Sequence, residues 1–481
     1  MTAELARVGG AVGALGIAAL LLGSGRRWRV TGLAAWAAGC AALAVWLAPS
    51  GHHRAYAAAA VAGTLVAAGL AWLFVRVPWL LAVAVLACAP ARIPVSVGHT
   101  TANLLLPMYV VVVAAALALV WELFGNDDAR VRELGPFAWP LALFVGWTGI
   151  AFLWSEDRRQ GAIYLLFYVL PFALLAVALA RLRWIVGWAM TIYAQLAAMA
   201  LAFAVIGIWQ YATRNIFWNP KVIVDNAYAT SSWFYRVNSV FYDPSIYGRF
   251  LVVAILASIV LLLFASGAIP WLAAVLVTVT FAGLVPSFSQ SSFVALGAGV
   301  VVALAALWRR RSVIPIALAV TALLAVSFGV PQARHRILGK AGFSHASGGR
   351  SKLVTNGVKV ALHHPLIGVG TGGFRRAYAK QTHLKGKEPK AAASHDTPIT
   401  VAAETGLPGL ALLAWLVYAA FAVPFRRNPV RGPTGRARLA FGLALIAIVV
   451  HSLFYDALFE DPLFWGALAL SALAARAEVA P

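Results

Sequence analysis

Charge is scarce in this chain. Only 11% of its 481 residues are Asp, Glu, Lys or Arg, where a soluble domain carries about one quarter. Acids are scarcer still, 16 against 38 Lys and Arg. A conventional soluble globule is excluded, because too little polar surface is available to face water. Cysteine is nearly absent. Cys40 and Cys88 both lie in apolar runs, so neither a disulfide framework nor a Cys-based zinc site can be built. His52, His53 and His99 are scattered without metal-site spacing, and no metal is expected. No internal repeat and no charge-free Pro/Gly/Ser linker divides the chain, which reads as one membrane domain. A cleavable signal peptide is not expected either. The run Val8 to Gly23 lacks a basic leader and is followed by Arg26, Arg27 and Arg29, as in a retained first helix.

Apolar residues fill the space that charge leaves. They make up 62% of the chain, and mean hydropathy is +0.84. The bilayer is the solvent for most of that surface. Runs of spanning length fall at 8–23, 30–48, 56–75, 78–91, 104–124, 136–153, 161–180, 184–210, 245–265, 270–285, 291–307, 312–330, 399–423, 439–455 and 462–477. Some are short, notably 78–91 and 270–285, so the expectation is 12 to 15 helices. Clusters of Arg at 26–29, 130–132, 181–183, 309–311 and 426–438 all fall on one side when the spans alternate. That side should be the cytoplasm.

Two longer polar segments, 211–244 and 331–398, then fall outside. The second carries twelve Lys or Arg against Glu388 and Asp396. The formal charge of +22 is thus part topology signal and part cationic outer loop. Scattering between spans argues against nucleic acid, and a cationic outer loop suggests an anion held there.

Five candidate sites stand out. Gly349-Arg350-Ser351-Lys352 opens a helical stretch to His363 and His364. Ser351 is placed to cap it, and Arg350 to reach a phosphate bidentately. The plain alternative is a solvated loop Arg. Next comes His364-Pro365-Leu366-Ile367-Gly368-Val369-Gly370-Thr371-Gly372-Gly373-Phe374. A dinucleotide fingerprint is rejected, since no strand precedes it and no acid follows at the required distance. A tight turn between two loop helices is expected, with Gly368 and Gly370 also letting backbone N–H groups approach an anion.

Ser394-His395-Asp396-Thr397 runs into Pro398 and the span that follows. His395 has a side chain suited to proton abstraction near neutral pH, and Asp396 or Thr397 can cap the helix. A plain interfacial His is the alternative. Arg236 to Pro244 lies in the other outer loop, with Asp243 a possible partner for Arg249 one turn inside the span. Ser287 to Ser292, with Gln290, forms a polar cluster at the start of a span; interhelical packing is its plain reading. Glu404 lies within a span, either functional or paired with an outer-loop Arg. Trp154 to Arg159 reads as an interfacial loop, and Glu460 with Asp461 as an outer turn.

In order, His364 to Phe374, Ser394 to Thr397 and Ala402-Ala403-Glu404-Thr405-Gly406-Leu407-Pro408-Gly409 resemble the O-antigen ligase family, which includes O-antigen polymerases of the Wzy type. Its usual pattern is HPLxGxGxGxF, then HNxxL, then ETGxxG. Asp396 replaces the usual Asn. Arg236 to Pro244 is similar to the upstream RxxGxFxxPN element, with Ser239 and Ser245 at two departures. Together the matches cover 236–410.

The resemblance implies an all-α, GT-C-like bundle in the bacterial inner membrane, acting at its outer face. It implies an undecaprenyl-diphosphate-linked glycan donor, a glycan or lipid-linked acceptor, and no cofactor. It also implies His395 as base and Arg350 on the diphosphate. Where the family often carries SxSR, this chain has Gln290; Arg236, Arg375 or Arg376 are the substitutes considered. The division expected is an N-terminal bundle 1–235, helices with outer polar motifs 236–330, a catalytic outer loop 331–398 and C-terminal helices 399–481. A polymerase of a cell-surface polysaccharide is preferred over a ligase acting on lipid A core or a protein. A lipid-linked glycan transporter is the rival class. It would need internal symmetry and ionisable residues deep in several spans, and neither is evident.

Overall fold

The computed structural model describes residues 3–48, 53–97, 100–124, 133–217, 219–227, 235–308, 350–383, 396–422, 430 and 432–477. The expected span 312–330 and the residue His395 lie outside these, as does the side chain of Arg350. Among the described residues, ten helices are long and apolar enough to cross a membrane. Three shorter apolar helices, Ala60–Arg76, Leu106–Glu122 and Pro462–Ala477, accompany them. Lipid offers no hydrogen-bond partner, so each apolar run satisfies its own N–H and C=O groups as a helix. The chain is a polytopic, all-α membrane protein. One local departure is a hairpin, Ile93–Val97 paired antiparallel with Thr100–Leu104. The run 78–91 yields only the helix Leu80–Cys88, and β-branched residues after it favour extended chain.

Close approach of the first two helices, Ala3–Leu22 and Arg26–Leu47, depends on small residues. A side chain on Gly9 would strike Ala42, and one on Gly16 the backbone of Gly32. Without a hydrophobic drive in lipid, such close packing is what joins helices. The most enclosed spans are Arg158–Ala180 and Pro244–Phe264. The first contains a π turn, Leu165–Val169, just ahead of Pro171, whose missing N–H breaks the regular ladder.

Contacts sort the polar groups into two ends of the bundle. At one end Arg181 pairs with Glu122 and Glu133, Trp184 donates to Thr434 (3.2 Å), and Arg436 donates to the Phe264 carbonyl (2.9 Å). At the other end meet the 155–157 turn, the 236–243 and 287–292 segments, residues 350–382, the start of the Thr397–Ala422 helix and the 453–461 turn. Arg29 also lies near Glu133 at the first end, so described members of three arginine clusters share it, while the clusters at 130–132 and 309–311 lie outside the described residues.

Candidate functional site

The site is organised by a broken helix. Thr397–Ala422 turns sharply at Gly406, with φ 68° and ψ −169°, and Pro408 follows. Pro408 has no N–H to return to the Glu404 carbonyl, and the kink frees the Ala403 and Thr405 carbonyls as well. Orphaned carbonyls inside a membrane protein must find donors. The glycine-rich segment supplies them. Val369 N–H donates to Ala403 O and Gly370 N–H to Glu404 O, each at 2.9 Å. Trp147 Nε1 donates to Thr405 O at 2.8 Å. In return Leu407 N–H donates to Pro365 O at 2.8 Å.

The two motifs are therefore one interlocked unit. Gly368 and Gly370 hold φ of +68° and +85°. A Cβ on Gly368 would run into the Glu404 backbone, and one on Gly370 into Ser155. The loop does cradle an acidic side chain, but it is an internal one. The Glu404 carboxylate accepts from Phe374 N–H at 3.2 Å and from Gly372 N–H. This corrects two expectations: these N–H groups are engaged within the protein, and among the described residues Glu404 is held by backbone donors and not by an outer-loop Arg.

The 155–157 turn is the seat of this unit, a role that its reading as an interfacial loop missed. Glu156 N–H donates to Val369 O (3.1 Å), and Thr371 Oγ1 donates to Thr148 O (2.6 Å). Arg376 donates to Glu156 O (2.8 Å) and pairs with Asp157 at 3.3 Å. Lys380 pairs with Glu156 at 2.8 Å. Arg376 thus clamps the helix Phe374–Thr382 to the bundle, while the adjacent Arg375 is only half-buried. Beneath, Val360, Val369, Phe374, Ala377, Tyr378 and Ala403 form a small apolar core of their own.

Asp396 caps the kinked helix, accepting from Ile399 N–H at 3.1 Å, as expected. Asp456 then bolts that helix start to the 453–461 turn. It accepts from Thr397 Oγ1 (2.8 Å) and from Thr400 Oγ1. Asp456, Glu404, Gln160, Tyr164 and Glu460 face a polar cavity of about 80 Å³, with Thr397 and Thr400 of the helix start in its wall. The other acids of the turn reach elsewhere. Glu460 pairs with Arg92 at 3.6 Å, and Asp461 pairs with Arg249 at 2.7 Å. The considered Asp243–Arg249 pair does not form. Asp243 instead caps its helix by accepting from Ser245 N–H (2.7 Å), which leaves Arg249 facing the last helix. Sequence reading missed Arg92 and Asp456. A lone Arg between two apolar runs was the available signal for the first.

Burial holds the Asp456 carboxyl above its ordinary 3.8, against the pull of the two Thr hydroxyls. A carboxyl raised by folding costs stability as pH climbs from its unfolded value toward its folded one, and the loss levels off above that. Asp456→Asn removes this slope. The melting-temperature difference between variant and wild type, measured in detergent, should move in the variant's favour as pH rises from about 4 to 7. A pH-independent difference would place the carboxyl in bulk water.

Arg236 ties the second outer segment to the serine cluster. Its Nε donates to Ser287 O at 3.1 Å, three residues before the exposed Gln290. Ser289 bonds to Ser291 and Ser292, and Ser291 to His451 Nε2 at 3.0 Å. The cluster is largely interhelical packing, with Arg236 brought to its rim where Gln290 stands.

No curated protein matches the sequence. Residues 273–414 match the family described as O-antigen ligase. The matched stretch holds Gln290, Arg350, the glycine unit, His395 and Glu404, and it excludes Arg236. The chain is thus a polytopic all-α membrane protein of which residues 273–414 are similar to the O-antigen ligase family.

Proposed function

We propose that this protein is a GT-C-like glycosyltransferase, using an undecaprenyl-diphosphate-linked glycan at the outer face of the bacterial inner membrane. The observation that carries the reading is the family match over 273–414, joined to the geometry of that stretch. Its glycine unit and broken helix lock together at the same end of the bundle as Arg236 and the cationic helix Arg350–His363.

In this reading the acceptor hydroxyl attacks the anomeric carbon of the donor. His395 takes the proton. The bond from that carbon to the diphosphate oxygen breaks, and its electron pair leaves with the lipid diphosphate. Arg350, with Arg236 or Arg375, stabilises the growing negative charge. Residues 1–235 and 399–481 act as scaffold, 236–330 bring Arg236 and Gln290 together, and 331–398 form the catalytic loop. Room for a lipid tail is at hand. An apolar cleft of about 150 Å³ lies among Val186–Thr213, Pro244–Phe264, Gly432–Ser452 and Pro462–Ala477, lined by Leu196, Val260, Ile448 and Leu470.

A polymerase is preferred to a ligase. Purified protein incubated with lipid-linked repeat units alone should yield longer glycans and free lipid diphosphate. Transfer only after lipid A core or a protein acceptor is added would replace polymerase by ligase. No transfer under either condition would remove the glycosyltransferase reading.

A further inference from the structure

The turn of the cationic outer segment descends beside the spans. Pro365 O meets Leu407 N–H, just past the break at Gly406, beyond about 13 Å of helix from Thr397. Trp154 Nε1 donates to Ile367 O at 3.2 Å, and the Trp147 ring stands 5.8 Å from that of Trp154. The turn thus sits at the level of two tryptophans in the outer part of the Gly135–Trp154 span. Such residues mark the membrane interface.

What the turn presents outward is apolar. Leu362 is 70% exposed, Leu366 74% and Ile367 51%, with Val358 one helical turn before Leu362. This strip meets Leu407, 57% exposed, whose own stripe continues through Trp415 and Tyr418 down the span. Lys359, His363 and His364 flank the strip and are exposed, placed to extend toward phosphate headgroups. A solvated turn would not carry four large apolar side chains in one contiguous strip.

We infer that the turn His364–Ile367, with the end of the Arg350–His363 helix, is re-entrant and rests its leucines in the acyl-chain boundary of the outer leaflet. The occupant is lipid because the strip is continuous with the lipid-facing stripe of a span. The inference is independent of the reaction. Its effect is to hold the glycine unit at headgroup height.

Nitroxide labels test it in the full chain, with Cys40→Ser and Cys88→Ser, in phospholipid vesicles. Labels at Leu362→Cys and Leu366→Cys should collide several-fold more often with oxygen than with a water-soluble nickel chelate. A label at the exposed Thr355→Cys should do the reverse. If the label at position 366 meets the chelate as often as the one at 355, the turn is in water and the inference fails. Exclusion of both reagents together with spin–spin broadening would seat a second copy there and overturn it equally.

Discussion

Replacing His395 by Ala is expected to leave a correctly inserted protein that has lost about 10²–10⁴-fold of its transfer rate, the usual contribution of a positioned base. The expectation rests on position as well as residue type. Asp396 caps the kinked helix through Ile399, and Asp456 holds the next turn through Thr397. The described chain that adjoins position 395 is thereby fixed beside the polar cavity, which Thr397 and Thr400 line. Because the cap belongs to Asp396, the helix start survives loss of the imidazole. Rates should be measured in proteoliposomes over a range of pH. A base that titrates gives a rising limb in kcat/KM for wild type, and that limb should be missing in the variant. Activity within a few-fold of wild type would take the role of base away from His395.

Gly372→Ala should do comparable damage by a different route. Gly372 holds φ +80°, and an added Cβ would overlap the backbone of Gly161. Left-handed strain on a non-glycine residue costs about 1–3 kcal/mol, and the overlap cannot be relieved by rotating a side chain. The loop must lift from its seat, taking with it the donors to Glu404. A displacement near 1 Å at a reacting centre can cost about 100-fold, so a loss of at least that order is expected, together with new protease cleavage between residues 364 and 382. Gly432→Ala is the matched control. It also has positive φ, +63°, but nothing within 4 Å. Equal turnover of the two variants would show that the seat does not govern activity.

The membrane architecture was readable in advance because lipid leaves the chain so few choices. Apolar runs of spanning length must be helices, and Arg clusters must alternate with them. Asp396 as a cap was also legible, since capping is local. Glu404 was not. Its partners come from Gly372 and Phe374, about thirty residues earlier, in a segment whose docking against the broken helix no local pattern announces. The Arg92–Glu460 pair escaped for the same reason, being a contact across 368 residues, whereas the hairpin at 93–104 is local and was hidden between two apolar runs. Arg249 was rightly singled out as a buried cation, but its partner Asp461 lay just before the helix Pro462–Ala477 instead of one turn away.

The 453–461 turn has a bearing on biogenesis. Its three acids tether the Thr397 helix start, the hairpin base at Arg92 and the Pro244–Phe264 span through Arg249. Those three parts are synthesised long before it. A nascent chain halted at residue 450 would have threaded nearly every span and displayed every recognisable motif, while its outer surface still lacked the fastener. Completion of this face is thus deferred until residues 453–461 have emerged, and a chain stopped before them would be inserted but unfinished.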